Sequence, residues 1–130
     1  MGQPAAKQGD QITATDTHIV MIPSPGGPVP TPLPHPFMGM LDGNLSPTVK
    51  IMGMPAATVG STATNTPAHI PQGGPFQIPP TNQGQIMTGS ATVTINNKPA
   101  ARFGDTAMTC NDPAPLPLGT VVATGTVMIG

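Results

Sequence analysis

Three copies of one heptapeptide constrain the fold of this chain more than any other feature of its sequence. Each copy begins with Pro-Ala-Ala and has glycine as its sixth residue; the copies occupy residues 4–10 (PAAKQGD), 55–61 (PAATVGS) and 99–105 (PAARFGD). Proline fixes φ, alanine allows a close approach of backbones and glycine permits a positive φ, so each copy predicts a tight reversal. Repetition of this kind predicts three equivalent structural units.

A second repeated pattern, Thr-Val-x-Ile, occurs at residues 48–51, 92–95 and 126–129. In a strand the valine and the isoleucine lie on the same face, as expected for a half-buried strand. Two of these segments precede a Pro-Ala-Ala, whereas the third ends the chain and the first Pro-Ala-Ala begins it. The simplest interpretation is that the two ends of the chain meet and complete the third unit. The result is a closed pseudo-threefold object, because an open solenoid would need capping repeats.

Composition narrows the alternatives. The 130 residues include 19 prolines and 16 glycines, which is typical of low-complexity sequence, so a disordered proline-rich interaction segment is one hypothesis. However, only 7% of the residues are charged and 37% are hydrophobic, unlike most disordered chains. The frequent prolines also oppose helices. We therefore expect a single all-β domain over residues 1–130, a small pseudo-threefold β cone of short strands and proline-rich loops.

The charge and the apolar pattern exclude several classes of partner. A net charge of −1, no Trp, no Tyr and three Phe predict no binding to nucleic acid. The first ten residues lack the apolar core of a signal peptide, and no apolar run reaches the ~18 residues of a membrane helix. We expect synthesis in the cytoplasm and, if the protein is exported, a route without a signal peptide.

The three histidines and the one cysteine of the chain are candidate metal ligands. His18 and His69 each follow a repeat glycine by nine residues, and Cys110 follows the third by six. A threefold arrangement would bring such comparable positions together at its axis. His35, between two prolines, has no counterpart and is expected to be the fourth ligand at the apex. Three imidazoles and one thiolate fill a tetrahedral site, which suits structural Zn²⁺ better than iron.

A filled site of this kind stabilises a small apex and activates no water, so we predict no catalytic residue. The alternative is a small metal-dependent hydrolase, which would need an open coordination position and a general base. Asp16 and Asp112 are close in sequence to His18 and Cys110 and are candidates for hydrogen-bonding partners of the ligands. The proline-rich residues 22–36, 67–80 and 113–117 are expected to wrap the apex as extended segments without hydrogen bonds.

The repeats resemble those of the PAAR-repeat proteins, a family named after Pro-Ala-Ala-Arg. The closest stretch is Ser90–Arg102; only Pro99–Arg102 spells the full tetrapeptide, and Lys7 and Thr58 stand in place of the arginine in the other copies. The resemblance implies a sharp cone that caps the spike of a contractile injection machine. That machine would be a type VI secretion system, an extracellular phage-tail-like particle or a phage tail.

The resemblance also implies a partner and a metal. The flat base would pack on the end of a trimeric spike protein of the VgrG-like or phage-tail type, with one chain per spike trimer. A metal, usually zinc, would be held near the point, which would touch the target membrane only transiently as the particle is delivered out of the cell or into its target. The repeats extend from residue 4 to residue 130, so any effector is expected to be a separate protein.

Overall fold

The computed structural model describes residues 2–130, and all the regular secondary structure in that range is β. The predicted all-β class is therefore confirmed. The described residues contain no helix that could cross a membrane. The strands are β1 (Gln3–Pro4), β2 (Gln11–Ile22), β3 (Val29–Gly43), β4 (Lys50–Ile51), β5 (Met54–Pro55), β6 (Thr62–Asn65), β7 (Gln83–Ile86), β8 (Thr94–Ile95), β9 (Lys98–Pro99), β10 (Thr106–Thr109), β11 (Leu116–Val122) and β12 (Met128–Ile129).

Six of these strands close into a barrel in the order β10-β11-β2-β3-β6-β7. The barrel consists of three antiparallel hairpins, β2–β3, β6–β7 and β10–β11, and each hairpin follows one of the three heptapeptides. Its interior is filled by alanine side chains, larger aliphatic side chains and one aromatic side chain, the largest of which are those of Ile12, Phe37, Leu41, Ile86 and Val121. This arrangement confirms the predicted pseudo-threefold architecture.

The three heptapeptides meet at the pseudo-threefold axis below the barrel. The amide of Ala6 donates to the carbonyl of Ala101 at 2.9 Å, Ala57 donates to Ala6 at 3.0 Å, and Ala101 donates to Ala57 at 3.0 Å. All three alanines are fully buried. A larger side chain would separate backbones that lie this close together, which explains why alanine occupies this position in every copy.

Three short hairpins form the base of the molecule. β4–β5 and β8–β9 are closed by the two-residue turns Met52–Gly53 and Asn96–Asn97, in which all four residues have positive φ, as type I′ turns require. The third hairpin is formed by the two ends of the chain, because β1 pairs with β12 and places Gln3 opposite Ile129. The prediction that the termini meet in one unit is confirmed.

Two parts of the prediction are wrong: the strands are not all short, and the proline-rich segments do make backbone hydrogen bonds. Residues 29–36 lie in β3, residues 116–117 lie in β11, and in the segment 67–80 the amide of Gln77 donates to the carbonyl of Ile19 at 2.8 Å. β2 and β3 have 12 and 15 residues and pair continuously from Gln11↔Met40 to Ile22↔Val29. The prolines of β3 occupy alternate positions, 30, 32, 34 and 36. Backbone amides alternate between the two edges of a strand, so the intervening residues can supply the donors for β2 while the prolines face the other edge. β6 pairs with β3 only from Gly39 onward, beyond the prolines.

Candidate metal centre

The long hairpin carries three of the side chains in the candidate site. Asp16 and His18 are two residues apart on β2 and therefore lie on one face of that strand. His35 lies on β3 directly opposite Asp16. Asp16, His18 and His35 are 0%, 1% and 3% exposed, so this face of the hairpin points to the interior.

His69 and Cys110 come from the segments that follow β6 and β10. The side-chain oxygen of Asn82 accepts the amide of His69 at 2.8 Å, and the amide group of Asn65 donates to His69 Nδ1 at 3.2 Å. The Cys110 segment is held on the free edge of β2, because the backbone amide of Ile19 donates to Asp112 Oδ2 at 2.8 Å. All three pseudo-equivalent units therefore contribute to one cluster.

The candidate ligand atoms of Asp16, His18, His69 and Cys110 all lie within 4.8 Å of one another. Cys110 Sγ is 3.6 Å from His18 Nε2. Tetrahedral zinc with a Zn–S distance of about 2.3 Å and a Zn–N distance of about 2.0 Å separates a sulfur and a nitrogen ligand by roughly 3.6 Å. The spacing of this pair therefore fits a shared metal ion.

His35 lies beside this group, with its ring centroid 5.5 Å from the rings of both His18 and His69. Its Nδ1 is 3.0 Å from the carbonyl oxygen of Leu33, so Nδ1 carries the hydrogen and Nε2 has a free lone pair. Within the described residues this buried Nε2 has no hydrogen-bond partner. A buried nitrogen that has a lone pair and no hydrogen-bond donor beside it is available to bind a metal ion, so His35 Nε2 can serve as a ligand.

His18 is oriented in a similar way. Its Nδ1 makes no hydrogen bond to the described residues but faces Asp112 Oδ1 at 3.6 Å, so Nε2 is turned towards Cys110. A carboxylate behind a histidine ligand fixes the ring orientation and raises its basicity. The residues present therefore fit a metal ion. Asp112 lies behind His18, as expected for a partner that orients this ligand.

The site lies below the point of the cone rather than at its extreme end. His18 is four residue pairs from the last pair of the hairpin, Ile22↔Val29, which is roughly 13 Å at about 3.3 Å per residue. The ring of Phe76 packs over His18 and His35 at 5.8 and 5.4 Å, and Phe37 lies 6.1 Å from His69 on the barrel side. The two phenylalanines separate the cluster from water above and below.

The sequence predicts Asp16 as a hydrogen-bonding partner of a ligand, but its side-chain oxygen lies among the candidate ligand atoms themselves. Its Oδ2 accepts hydrogen bonds from His69 Nε2 at 3.0 Å and from Cys110 Sγ at 3.4 Å. The sequence signal was the spacing of Asp16 and His18, which places both on one face once residues 11–22 are recognised as a strand. The sequence pattern predicts only short strands, so it does not predict the 12-residue strand β2 that aligns these two side chains.

Burial changes the acid–base properties of two members of the cluster. Burial, together with the neighbouring Asp16, raises the pKa of the Cys110 thiol to about 11. Burial and the nearby His69 lower the pKa of His18, against the opposite effect of Asp112 and Asp16. Without a metal, the cluster therefore favours a neutral thiol and a neutral imidazole.

Comparison with protein families agrees with the geometry. Residues 76–130 match the family model of the PAAR motif. The chain carries a PAAR motif. The matched stretch contains the heptapeptide at 99–105 and Cys110, whereas the three histidines of the chain precede it. No curated protein matches the chain.

The family match confirms the resemblance seen in the repeats. It covers one of the three heptapeptides, and the structure shows that the other two occupy equivalent places around the same axis. The threefold hydrogen bonding of the backbone thus relates the two unmatched heptapeptides to the matched one.

Proposed function

We propose that this PAAR protein is the metal-stabilised conical tip that caps the trimeric spike of a contractile injection system. The system would be a type VI secretion system or an extracellular phage-tail-like particle. The observation that carries the proposal is the closed pseudo-threefold ring of heptapeptides, because a threefold base is complementary to the end of a threefold shaft. The PAAR motif at 76–130 supports the same function.

The base has the surface expected of a docking face. Its hairpins expose large apolar side chains, namely those of Val49, Met52, Met54, Val127 and Met128. Exposed apolar residues clustered on one face are typical of a protein interface. One chain would cap one spike trimer, and the particle would carry it out of the cell.

The metal centre suits a mechanical role. It joins side chains from all three units, so a bound ion, which we propose to be Zn²⁺, would hold together a tip that is too narrow for a large apolar core. The ligand side chains are between 0% and 5% exposed, which leaves little access for a substrate. This burial supports a structural role over the hydrolase alternative. Sheath contraction would supply the force, and the tip would concentrate it on a small area of the target envelope.

Assembly with the spike is the direct test of this proposal. We would mix the protein with a trimeric β-helical spike protein of a contractile injection system and determine the stoichiometry by native mass spectrometry; we expect one chain per trimer. Met128→Asp on the base should abolish the complex. Met38→Asp is the matched control, because Met38 is similarly exposed, at 53% against 57%, but lies on the barrel wall. No complex with the spike, or equal loss in both variants, would contradict the docking proposal.

Elemental analysis tests the metal separately. We expect about one zinc per chain in the purified protein and loss of the zinc in Cys110→Ser. Metal-free wild-type protein with an intact fold would contradict the metal centre but not the docking of the base. His35→Ala then decides whether the third imidazole is required, since that side chain lies next to the group of Asp16, His18, His69 and Cys110 rather than within it.

A further inference from the structure

Asp16 is a fully buried carboxyl group that has no permanently positive partner among the described residues. Its side chain is 0% exposed, and the one ion-pair partner that it has among residues 2–130 is His69, at 3.0 Å. The chain has four lysine and arginine residues, and all lie in the base hairpins or in the heptapeptides of the ring: Lys7, Lys50, Lys98 and Arg102. A carboxylate in such surroundings is strongly destabilising unless a cation compensates it.

The hydrogen bonds of Asp16 connect the three units of the cone. Thr109 Oγ1 donates to Oδ1 at 2.5 Å, and Cys110 Sγ and His69 Nε2 both approach Oδ2. Thr109 and Cys110 belong to the third unit, His69 to the second and Asp16 itself to the first. In the metal-free protein these contacts of Asp16 therefore connect all three units on the strand that carries His18.

We propose that Asp16 sets the charge of the metal centre and thereby makes it selective for a divalent cation. The three imidazoles are neutral ligands, so the Cys110 thiolate and the Asp16 carboxylate together balance a charge of +2. Without the carboxylate, the same donors would balance +1. This inference rests on the metal centre of the proposed function, but it concerns which ion that centre takes.

The expected size of the effect follows from Coulomb's law. Two unit charges about 4 Å apart at an effective dielectric constant of about 20 interact strongly enough to change an equilibrium constant by roughly 1,000-fold. A divalent ion gains this attraction twice and a monovalent ion once. Removal of the Asp16 charge should therefore weaken a divalent ion by about 100-fold or more relative to a monovalent one.

The test compares Zn²⁺ and Ag⁺ binding to the full chain, by competition with chelators of known affinity, in the wild type and in Asp16→Asn. We expect both affinities to fall, and the zinc affinity to fall about 100-fold or more further than the silver affinity. Asp42→Asn is the matched control, because Asp42 is exposed and the net charge changes equally. Asp16→Glu keeps the charge and should keep the preference for zinc.

The outcomes separate a charge effect from a structural one. Equal weakening of both ions in Asp16→Asn would overturn the proposal, because a merely structural role lowers both affinities together. Unchanged zinc affinity would overturn it too. If Asp16→Asn does not fold without metal, Asp16→Ser provides a second neutral variant that retains a hydrogen-bond acceptor. The zinc affinity of Asp16→Ser should again fall about 100-fold or more further than its silver affinity. A wild type that binds no divalent ion would overturn both this inference and the metal centre.

Discussion

The amide of Ala57 donates to the carbonyl oxygen of Ala6 at 3.0 Å, and the same bond recurs twice more around the axis. The neighbouring positions repeat the pattern, since Ala5 pairs with Arg102, Lys7 with Ala56 and Thr58 with Ala100. These contacts involve only backbone atoms. The ring therefore tolerates lysine, threonine or arginine at the fourth position of the heptapeptide but requires a small residue at the third.

The three axial alanines should be equally intolerant of enlargement. We expect valine at residue 6, 57 or 101 to lower the free energy of unfolding by about 1–3 kcal/mol each, because the added methyl groups overpack a fully buried position. Urea unfolding of the three variants measures this effect. Ala91→Val, at an exposed alanine, is the control and should change stability by less than about 0.5 kcal/mol. Strongly unequal effects at the three axial positions would contradict the pseudo-threefold symmetry.

The third base hairpin predicts a circular permutant. Ile51 and Ile95 are followed by two-residue turns, and their counterpart Ile129 would be too if Met1 were removed and Gly130 joined to Gly2. Two glycines suit the positive φ values of a type I′ turn. With new ends between Asn96 and Asn97, we expect a folded protein that unfolds cooperatively, as followed by circular dichroism. An unfolded permutant that cannot be rescued by zinc would show that the termini do not replace a turn.

The sequence was sufficient to predict the ring and the meeting of the termini, because both depend on a repeated backbone pattern. It was not sufficient for the β2–β3 hairpin. Proline density at residues 30–36 suggested a segment without hydrogen bonds, but a strand edge needs donors only at alternate positions. The position of Asp16 in the cluster depends on that hairpin, so the sequence alone does not predict it. The candidacy of His69 depends only on its spacing from the repeat glycine and does not require a correct strand assignment, because His69 lies in an irregular segment.

Met52 occupies a turn position that disfavours its side chain. Its φ is 51°, and the equivalent residue in the next hairpin is Asn96 at 52°. Asparagine tolerates this conformation better than methionine, so we expect Met52→Asn to raise the free energy of unfolding by up to about 1 kcal/mol. The same change should weaken binding to the spike, because Met52 is 54% exposed on the base. Thermal unfolding and spike titration together check this trade-off, and Asn96→Met, the reverse change, should lower stability.

The stability of the zinc-free protein should be greatest near neutral pH. The pKa of His18 is lowered from 6.5, so below that value the unfolded chain takes up a proton that the folded protein resists, and stability falls. The pKa of Cys110 is raised from 9.0 to about 11, so stability is lost as the pH rises between these two values. Urea unfolding in the presence of a chelator at pH 5, 7.5 and 10.5 tests both arms. In Cys110→Ala the loss at high pH should be smaller.

Zinc binding should release about one proton per ion at pH 7.5. With a pKa of about 11, Cys110 is fully protonated at that pH in the metal-free protein, and zinc binds the thiolate. Calorimetric titration in two buffers with different ionisation enthalpies counts the proton, since for one released proton the two apparent enthalpies differ by the difference between the two ionisation enthalpies. Cys110→Ser should release none. A wild-type count near zero would mean that the ion does not bind through Cys110, and the metal would then have to be held by histidine and Asp16 alone.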